Sequence, residues 1–175
     1  MLLLRNLIFK TMLIISVLII GIIAAPCLAH QRFTIAVARY WCIGVLYSLK
    51  LVTGVSYKVT GTLPNSNKGY IIASKHQSAF ETILLILLSS KPIFIVKREL
   101  FWITIFGWYL WRVGAIGIKR ADGRKSLQLI KHKAAVKLSQ GHQLIIFPEG
   151  TRHKFGAKPN YRKGIIALYQ LGYPV

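Results

Sequence analysis

Two stretches of the chain hold side chains that can do chemistry, and the first is Ser74-Lys75-His76-Gln77-Ser78-Ala79-Phe80-Glu81-Thr82. It sets His76 five positions ahead of Glu81 in a protein with 24 Lys+Arg and only 4 Asp+Glu. With carboxylates so scarce, Glu81, Glu99, Asp122 and Glu149 each call for a task. A carboxylate on one imidazole nitrogen fixes the tautomer and stabilises the imidazolium, leaving the other nitrogen free as a general base. On an unbroken helix, residues five apart point about 140° apart and cannot meet. A loop-to-helix transition between them removes that obstacle and lets Glu81, in the first turn, reach back to the ring. A histidine taken alone is more often a satisfied structural side chain; the glutamate at this spacing argues otherwise. Ser78 is close, but no G-x-S-x-G elbow surrounds it. Direct proton removal from a substrate hydroxyl is therefore the economical chemistry.

The second stretch is Phe147-Pro148-Glu149-Gly150-Thr151-Arg152. Gly150 permits close backbone approach, Thr151 offers a hydroxyl, and Arg152 carries a bidentate fork suited to phosphate. Lys154, Lys158, Arg162 and Lys163 follow, and Lys119 and Arg120 lie upstream. Singly, each lysine reads as a solvated surface charge; together these donors expect a phosphorylated substrate.

The elements that must position both stretches are short β-branched runs alternating with longer helical ones. Strands are expected at 57–60, 70–74, 93–96, 115–119 and 143–147, and helices at 79–88, 100–111, 124–140 and 162–171. This alternation implies an α/β fold with a mixed, mainly parallel sheet flanked by helices. His76 then follows one strand and the second motif another, so both lie where ligands bind in open α/β sheets. Residues 61–69 read as a turn-rich break. In the helix at 124–140, Leu127, Ile130, Ala134 and Leu138 form an apolar stripe, with Asp122 expected to cap its start and Gly141 its end. Residues 83–88 are apolar on every side. Residues 101–111 hold three of the 4 tryptophans, as an interfacial belt or a core-packed aromatic helix.

Composition points the same chain towards a lipid surface. A net charge of +20 draws nucleic acid or anionic headgroups alike. A hydrophobic fraction of 54% and a mean hydropathy of +0.49 favour the lipid over nucleic acid. Between Lys10 and Arg32 no charged side chain occurs, a length sufficient to cross a bilayer. Arg5, Lys10 and the Cys27-Leu28-Ala29 sequence are also compatible with a cleaved signal peptide, but Pro26 and His30 read better as a helix end at an interface. The uncharged run 40–49 is too short to cross. It reads as an interfacial helix pairing with the first as a membrane-embedded hairpin, or as a core helix. The count of flanking positive charges does not orient the hairpin. Cys27 and Cys42 indicate neither a metal site nor a disulfide. The expected division is an N-terminal anchor of membrane or interfacial helices at 1–56 and a catalytic domain at 57–175.

His76-x4-Glu81 followed by Phe147-Pro-Glu-Gly-Thr-Arg152 resembles the glycerophospholipid acyltransferase family, its 1-acylglycerol-3-phosphate acyltransferases in particular. The resemblance covers about 57–175. It implies a glycerol-3-phosphate acyltransferase-like fold. In its chemistry His76 is the base on the acceptor hydroxyl and Glu81 its orienting acid, and Glu149, Gly150, Thr151 and Arg152 hold the acceptor phosphate. Residues 117–120 resemble a second family block and add Arg120 as a phosphate contact; Lys97, in Lys97-Arg98-Glu99-Leu100, is a further candidate. The implied reaction moves a fatty acyl group from acyl-CoA or acyl carrier protein, as co-substrate, to lysophosphatidate. No metal or other cofactor is implied, and the site would lie at the cytoplasmic face of the membrane. Two departures follow. Glutamate stands at position 81 where aspartate is commoner, a variant shared with late acyltransferases of lipid A assembly. Glycerol 3-phosphate, another lysophospholipid or a lipid A precursor is thus an alternative acceptor. The chain also ends at Tyr173-Pro174-Val175, where the family's Val/Pro-rich fourth block would be starting, so a truncated sheet is expected. A basic membrane- or nucleic-acid-binding module without catalysis is the reading from a different class.

Overall fold

The structure, a computed structural model, describes residues 1–64 and 68–175, and Arg120 by its backbone alone. The expected break at 61–69 thus lies partly outside the described residues. In chain order the elements are helices α1 (Leu2–Ile23) and α2 (Gln31–Thr53), strand β1 (Tyr70–Ala73), helix α3 (Phe80–Leu88), strand β2 (Pro92–Lys97), helix α4 (Phe106–Val113), strand β3 (Ile116–Ile118), helix α5 (Gly123–Ser139), strand β4 (Gln143–Ile146) and helix α6 (Gly164–Tyr169). They fall into two compact units, Met1–Thr62 with Ile103–Val113, and Leu63–Trp102 with Gly114–Val175.

In the first unit, α1 and α2 are both long and apolar enough to cross a membrane. The short 3₁₀ turn Ala25–Ala29 joins them, with Pro26 in its first positions, where a missing N–H costs nothing. The helices pack along one another, and the Trp41 indole N–H donates to Ser16 Oγ at 3.0 Å, so the polar atoms of an otherwise apolar seam find each other. Thr34, fully buried, donates from Oγ1 to the Cys27 carbonyl at 3.0 Å and steadies the bend. The expected hairpin therefore forms, but its second arm is longer than expected: α2 continues through Arg39 and Lys50 to Gly54, whose φ of 75° ends it. Charged side chains do not break a helix whose backbone bonds remain intact; they only set which face they occupy.

Helix α4 belongs to the same unit. Its Tyr109 hydroxyl donates to the Gly21 carbonyl at 3.1 Å, and Gln31 Nε2 donates to the Val113 carbonyl at 2.8 Å. The continuous helix expected at 100–111 is instead two pieces, a 3₁₀ turn at Arg98–Trp102 and α4. Between them Ile105 has φ 69°, a left-handed conformation unfavourable for a β-branched residue. An aromatic run with Ile103, Thr104 and Ile105 at its centre has little helix propensity of its own to resist that break. Trp108 and Trp111 stand exposed on α4.

Among the described residues, the second unit is built on a four-stranded, wholly parallel sheet in the order β1-β4-β2-β3. Its strands read as near-continuous Ile, Leu and Val because both faces are covered, as parallel sheets require. Ile71, Ile93, Ile95, Ile116, Leu144 and Ile146 meet Ile130, Ala134 and Leu138 of α5 and Leu168 of α6 in one buried core. By alternation Phe94 and Ile145, also buried, point to the opposite face. Each fully buried Ile or Leu contributes about 1.5–3 kcal/mol.

Helix α5 buries Ser126, Ile130, Ala134 and Leu138, a spacing of four that passes one residue away from Leu127. Gly141, with φ 77°, ends it as expected: its N–H reaches the Leu138 carbonyl and that of His142 the Lys137 carbonyl, a Schellman motif. Asp122 does not cap the start. Its side chain makes no capping bond and lies 3.8 Å from Lys119 Nζ instead, because its φ of −80° and ψ of 5° turn it away from the extended N-cap geometry. Helix α6 is shorter than the expected 162–171.

Residues 57–60 form no strand. Tyr57 to Thr60 are all exposed and join no sheet, since alternation alone cannot hold a strand that has no apolar surface to bury against. What lies beside β1 opposite β4 is the segment around Pro174, whose carbonyl accepts from Ile71 N–H at 2.8 Å. Close approach also governs Gly69, where a Cβ would overlap the backbone carbonyl of Leu138. Replacing Gly69 by Ala is expected to cost about 1–3 kcal/mol through overpacking. Thermal unfolding in detergent should show the drop; an unchanged midpoint would mean that the turn yields freely.

Candidate active site

Strands β1 and β4 are in-register neighbours, Ala73 opposite Ile146, and the chain after each carries one of the two motifs. Segments 73 residues apart in sequence thus meet at one end of the sheet, where the His76 N–H donates to Glu149 Oε2 at 3.4 Å. Ser74 N–H donates to the Ile146 carbonyl at 3.0 Å, and His153 N–H to the His76 carbonyl at 2.9 Å. Three cross-links of this kind fix the His76 backbone before its side chain is considered.

The imidazole Nδ1 lies 2.7 Å from Glu81 Oε1, with both side chains 18% exposed. Glu81 stands in the first turn of α3, and its carboxylate also accepts Gln77 N–H at 2.9 Å, Ser78 N–H at 2.9 Å and Ser78 Oγ–H at 2.8 Å. The Ser78 hydroxyl in turn accepts Phe80 N–H at 3.0 Å. Serine and glutamate three apart, at the spacing of a capping box, thus tie the loop before α3 to its first turn, with Ser78 one residue ahead of the N-cap Ala79. Burial pushes the Glu81 carboxyl up, but hydrogen bonds from the backbone of Ser78 and of Glu81 itself, the Ser78 hydroxyl and His76 outweigh it and hold the group below its ordinary value. An ionised Glu81 accepts a proton-bearing Nδ1, which leaves the Nε2 lone pair available. Such a pair can remove a proton from a hydroxyl and return it to a leaving group.

The second motif opens with a turn. Gly150 N–H bonds the Phe147 carbonyl at 2.9 Å, Pro148 occupies the position that favours its fixed φ, and Gly150 adopts φ 70°. Glu149 is buried at 3% exposure, whereas Thr151 and Arg152 are exposed. The Arg162 N–H donates to the Pro148 carbonyl at 2.9 Å and folds the basic segment back on the turn. Lys97 is exposed at the end of β2, the other neighbour of β4. Arg120 begins the 3₁₀ turn after β3, and its side chain lies outside the described residues. The structure therefore brings His76, Glu81 and Glu149 into direct contact and leaves Lys97 at the same sheet end without a bond to them.

Sequence reasoning gave no role to Ser78 or Phe147. The Phe147 ring stacks on the imidazole of His76, centroids 4.1 Å apart and planes at 22°. The signal for Ser78 was present, because Ser78-x-x-Glu81 is a capping-box spacing. For Phe147 there was none, as only strand pairing reveals which ring it faces.

The family model described as Acyltransferase matches residues 56–175. The chain belongs to the acyltransferase family. Among relatives of this acyltransferase, the 1-acyl-sn-glycerol-3-phosphate acyltransferase of Pseudomonas aeruginosa is 31% identical over 98% of the chain and 68% of its own length. The chloroplastic 1-acyl-sn-glycerol-3-phosphate acyltransferase LPAT1 of Arabidopsis thaliana is 28% identical over 79% of the chain, which spans 38% of that protein. The crystal structure of the 1-acyl-sn-glycerophosphate (LPA) acyltransferase PlsC of Thermotoga maritima superposes with a TM-score of 0.74 over 99% of the chain and 71% of that structure, at 19% identity. The fold is thus that of the family: a parallel sheet flanked by helices, preceded by apolar helices. With these helices the acyltransferase is membrane-associated.

Proposed function

We propose that this acyltransferase moves a fatty acyl group from acyl-CoA or acyl carrier protein to the free hydroxyl of 1-acylglycerol 3-phosphate, giving phosphatidate, at the cytoplasmic face of the membrane. The observation that carries this reading is the meeting of the His76–Glu81 pair with the Glu149-to-Arg152 turn at the ends of adjacent strands. His76 Nε2 takes the proton of the acceptor hydroxyl as its oxygen attacks the thioester carbonyl. The C–S bond then breaks, and the imidazolium returns the proton to the departing thiolate. Glu81 orients the ring and balances its transient charge.

Arg152, exposed beyond the turn, holds the acceptor phosphate, with Gly150 and Thr151 supplying close backbone and hydroxyl contacts. Glu149 belongs to this phosphate loop as its inner brace, since its buried carboxylate faces the His76 backbone. Lys97 and Arg120 add positive charge from the ends of β2 and β3. The names of the relatives favour lysophosphatidate as acceptor, and the basic surface suits anionic lipid.

An acceptor panel of lysophosphatidate, glycerol 3-phosphate and a lysophospholipid without a terminal phosphate tests the reading, with acyl-CoA as donor. Lysophosphatidate should be preferred, and equal use of the phosphate-free acceptor would sink it. Arg152→Ala should raise the KM for lysophosphatidate about 10- to 100-fold, the loss of one charge-assisted contact, with kcat much less affected. An unchanged KM would remove Arg152 from the phosphate site.

A further inference from the structure

Phe147 opens the second motif, yet none of the chemistry above uses it. A residue at the end of β4 would be satisfied by apolar packing alone, and leucine would serve. Instead its ring lies flat on the His76 imidazole, 4.1 Å between centroids and 22° between planes. Behind it stands Phe94 of β2, buried at 7% exposure, with its centroid 6.5 Å from that of Phe147. Strand β2, the residue directly after β4 and the loop after β1 thus contribute one ring each to a row that ends on the imidazole.

We propose that Phe147 is a positioning residue for the general base: it locks the plane of the His76 ring and gives the imidazolium an aromatic face when the ring is protonated. This rests on His76 being the base. A histidine ring turns in a broad torsional well about its Cβ–Cγ bond. The bond to Glu81 holds one point of it, Nδ1, and leaves a pivot about that point. A flat stack removes the pivot, so Nε2 keeps one direction towards the acceptor. When the ring takes a proton its positive charge rests on the negative face of Phe147, an attraction that grows as water is excluded.

The charged and titratable groups around His76 are Glu81 from α3, Glu149 and His153 from the chain after β4, and Lys75 beside it in sequence. All of them remain in a Phe147 variant. The difference between an aromatic and an aliphatic side chain at 147 therefore reads the stack alone.

The test uses the full chain in detergent micelles, with lysophosphatidate and acyl-CoA as substrates. Phe147→Leu should lower kcat about 3- to 30-fold with the acceptor KM unchanged, the range of a cation–π contact. The acid limb of its kcat/KM profile and the His76 titration followed by NMR of labelled imidazole should both move to lower pH, because the protonated ring has lost a stabilising partner. Phe147→Tyr and Phe147→Trp should restore both. If the leucine variant fails to fold, Phe147→Met takes its place with the same expectation. An aliphatic variant with the parent's kcat and the parent's His76 titration overturns the proposal, as does an aromatic variant no better than the aliphatic one. His76→Ala, run alongside, separates the two levels. Its loss of activity with a parent-like leucine variant defeats only the role of Phe147, whereas its retention of activity defeats the reading of His76 itself.

Discussion

His76→Ala is expected to lower kcat for acyl transfer to lysophosphatidate by about 10²- to 10⁴-fold, the range that a positioned general base supplies. The substitution removes the whole imidazole: Nε2, the atom that takes the hydroxyl proton, and with it the Nδ1 bond to Glu81 and the stack on Phe147. The backbone of residue 76 keeps its N–H on Glu149 and its carbonyl under His153 N–H, so the two loops stay joined. The Glu149-to-Arg152 turn depends on its own Phe147–Gly150 bond, so the acceptor KM should hardly change. A base must be neutral to act. The parent's kcat/KM should therefore rise with pH through the imidazole ionisation, and that limb should vanish in the variant. Measuring acyl transfer from acyl-CoA in membranes carrying each protein decides the matter; a variant within a few-fold of the parent removes His76 from the base role.

How far the sequence could be read depended on whether local or distant residues decided each element. The sheet's strands announced themselves because both faces are buried and the runs around Ile71, Ile93, Ile116 and Leu144 are apolar throughout. The Schellman end at Gly141 is likewise local chemistry. Residues 57–60 have strand-like alternation and no surface to bury it against, a fact that lies in the rest of the fold. The break at Ile105 falls where the chain passes from one compact unit to the other, which no periodicity over 100–111 records. The site divides in the same way. His76 and Glu81 are five residues apart, so their spacing could suggest a pair. Their junction with Glu149, and the stack on Phe147, come from the pairing of β1 with β4, which the order of elements alone does not dictate.

Glu81→Gln is the sharper experiment on that pair, because it keeps size and removes charge. The carboxylate receives several donors, among them His76 Nδ1–H, the N–H groups of Gln77 and Ser78, and the Ser78 hydroxyl. An ionised carboxyl accepts at both oxygens, and an amide offers only its one oxygen. If the amide NH₂ faces His76, the ring must accept at Nδ1 and carry its proton on Nε2, so the base is lost. If the oxygen faces His76, it keeps the Nδ1–H and Gln77 N–H, but the NH₂ takes the place of Oε2, 3.2 Å from the Ser78 nitrogen, and the charge that balances the imidazolium is gone. Either way kcat should fall by about 10²- to 10⁴-fold, as when a histidine's carboxylate partner becomes an amide. Glu81→Asp keeps the charge and loses one methylene of reach, so it should retain more activity than the glutamine variant. A pH signature accompanies the effect. The native carboxyl is held below its ordinary value, so its contribution to stability is fully present above the unfolded value of about 4.3 and is lost as pH falls through the depressed native one. Acid unfolding of the parent should therefore include a component in that low-pH window which Glu81→Gln lacks. A glutamine variant with near-parental kcat and an identical acid-unfolding curve would remove Glu81 from both the catalytic pair and the helix start.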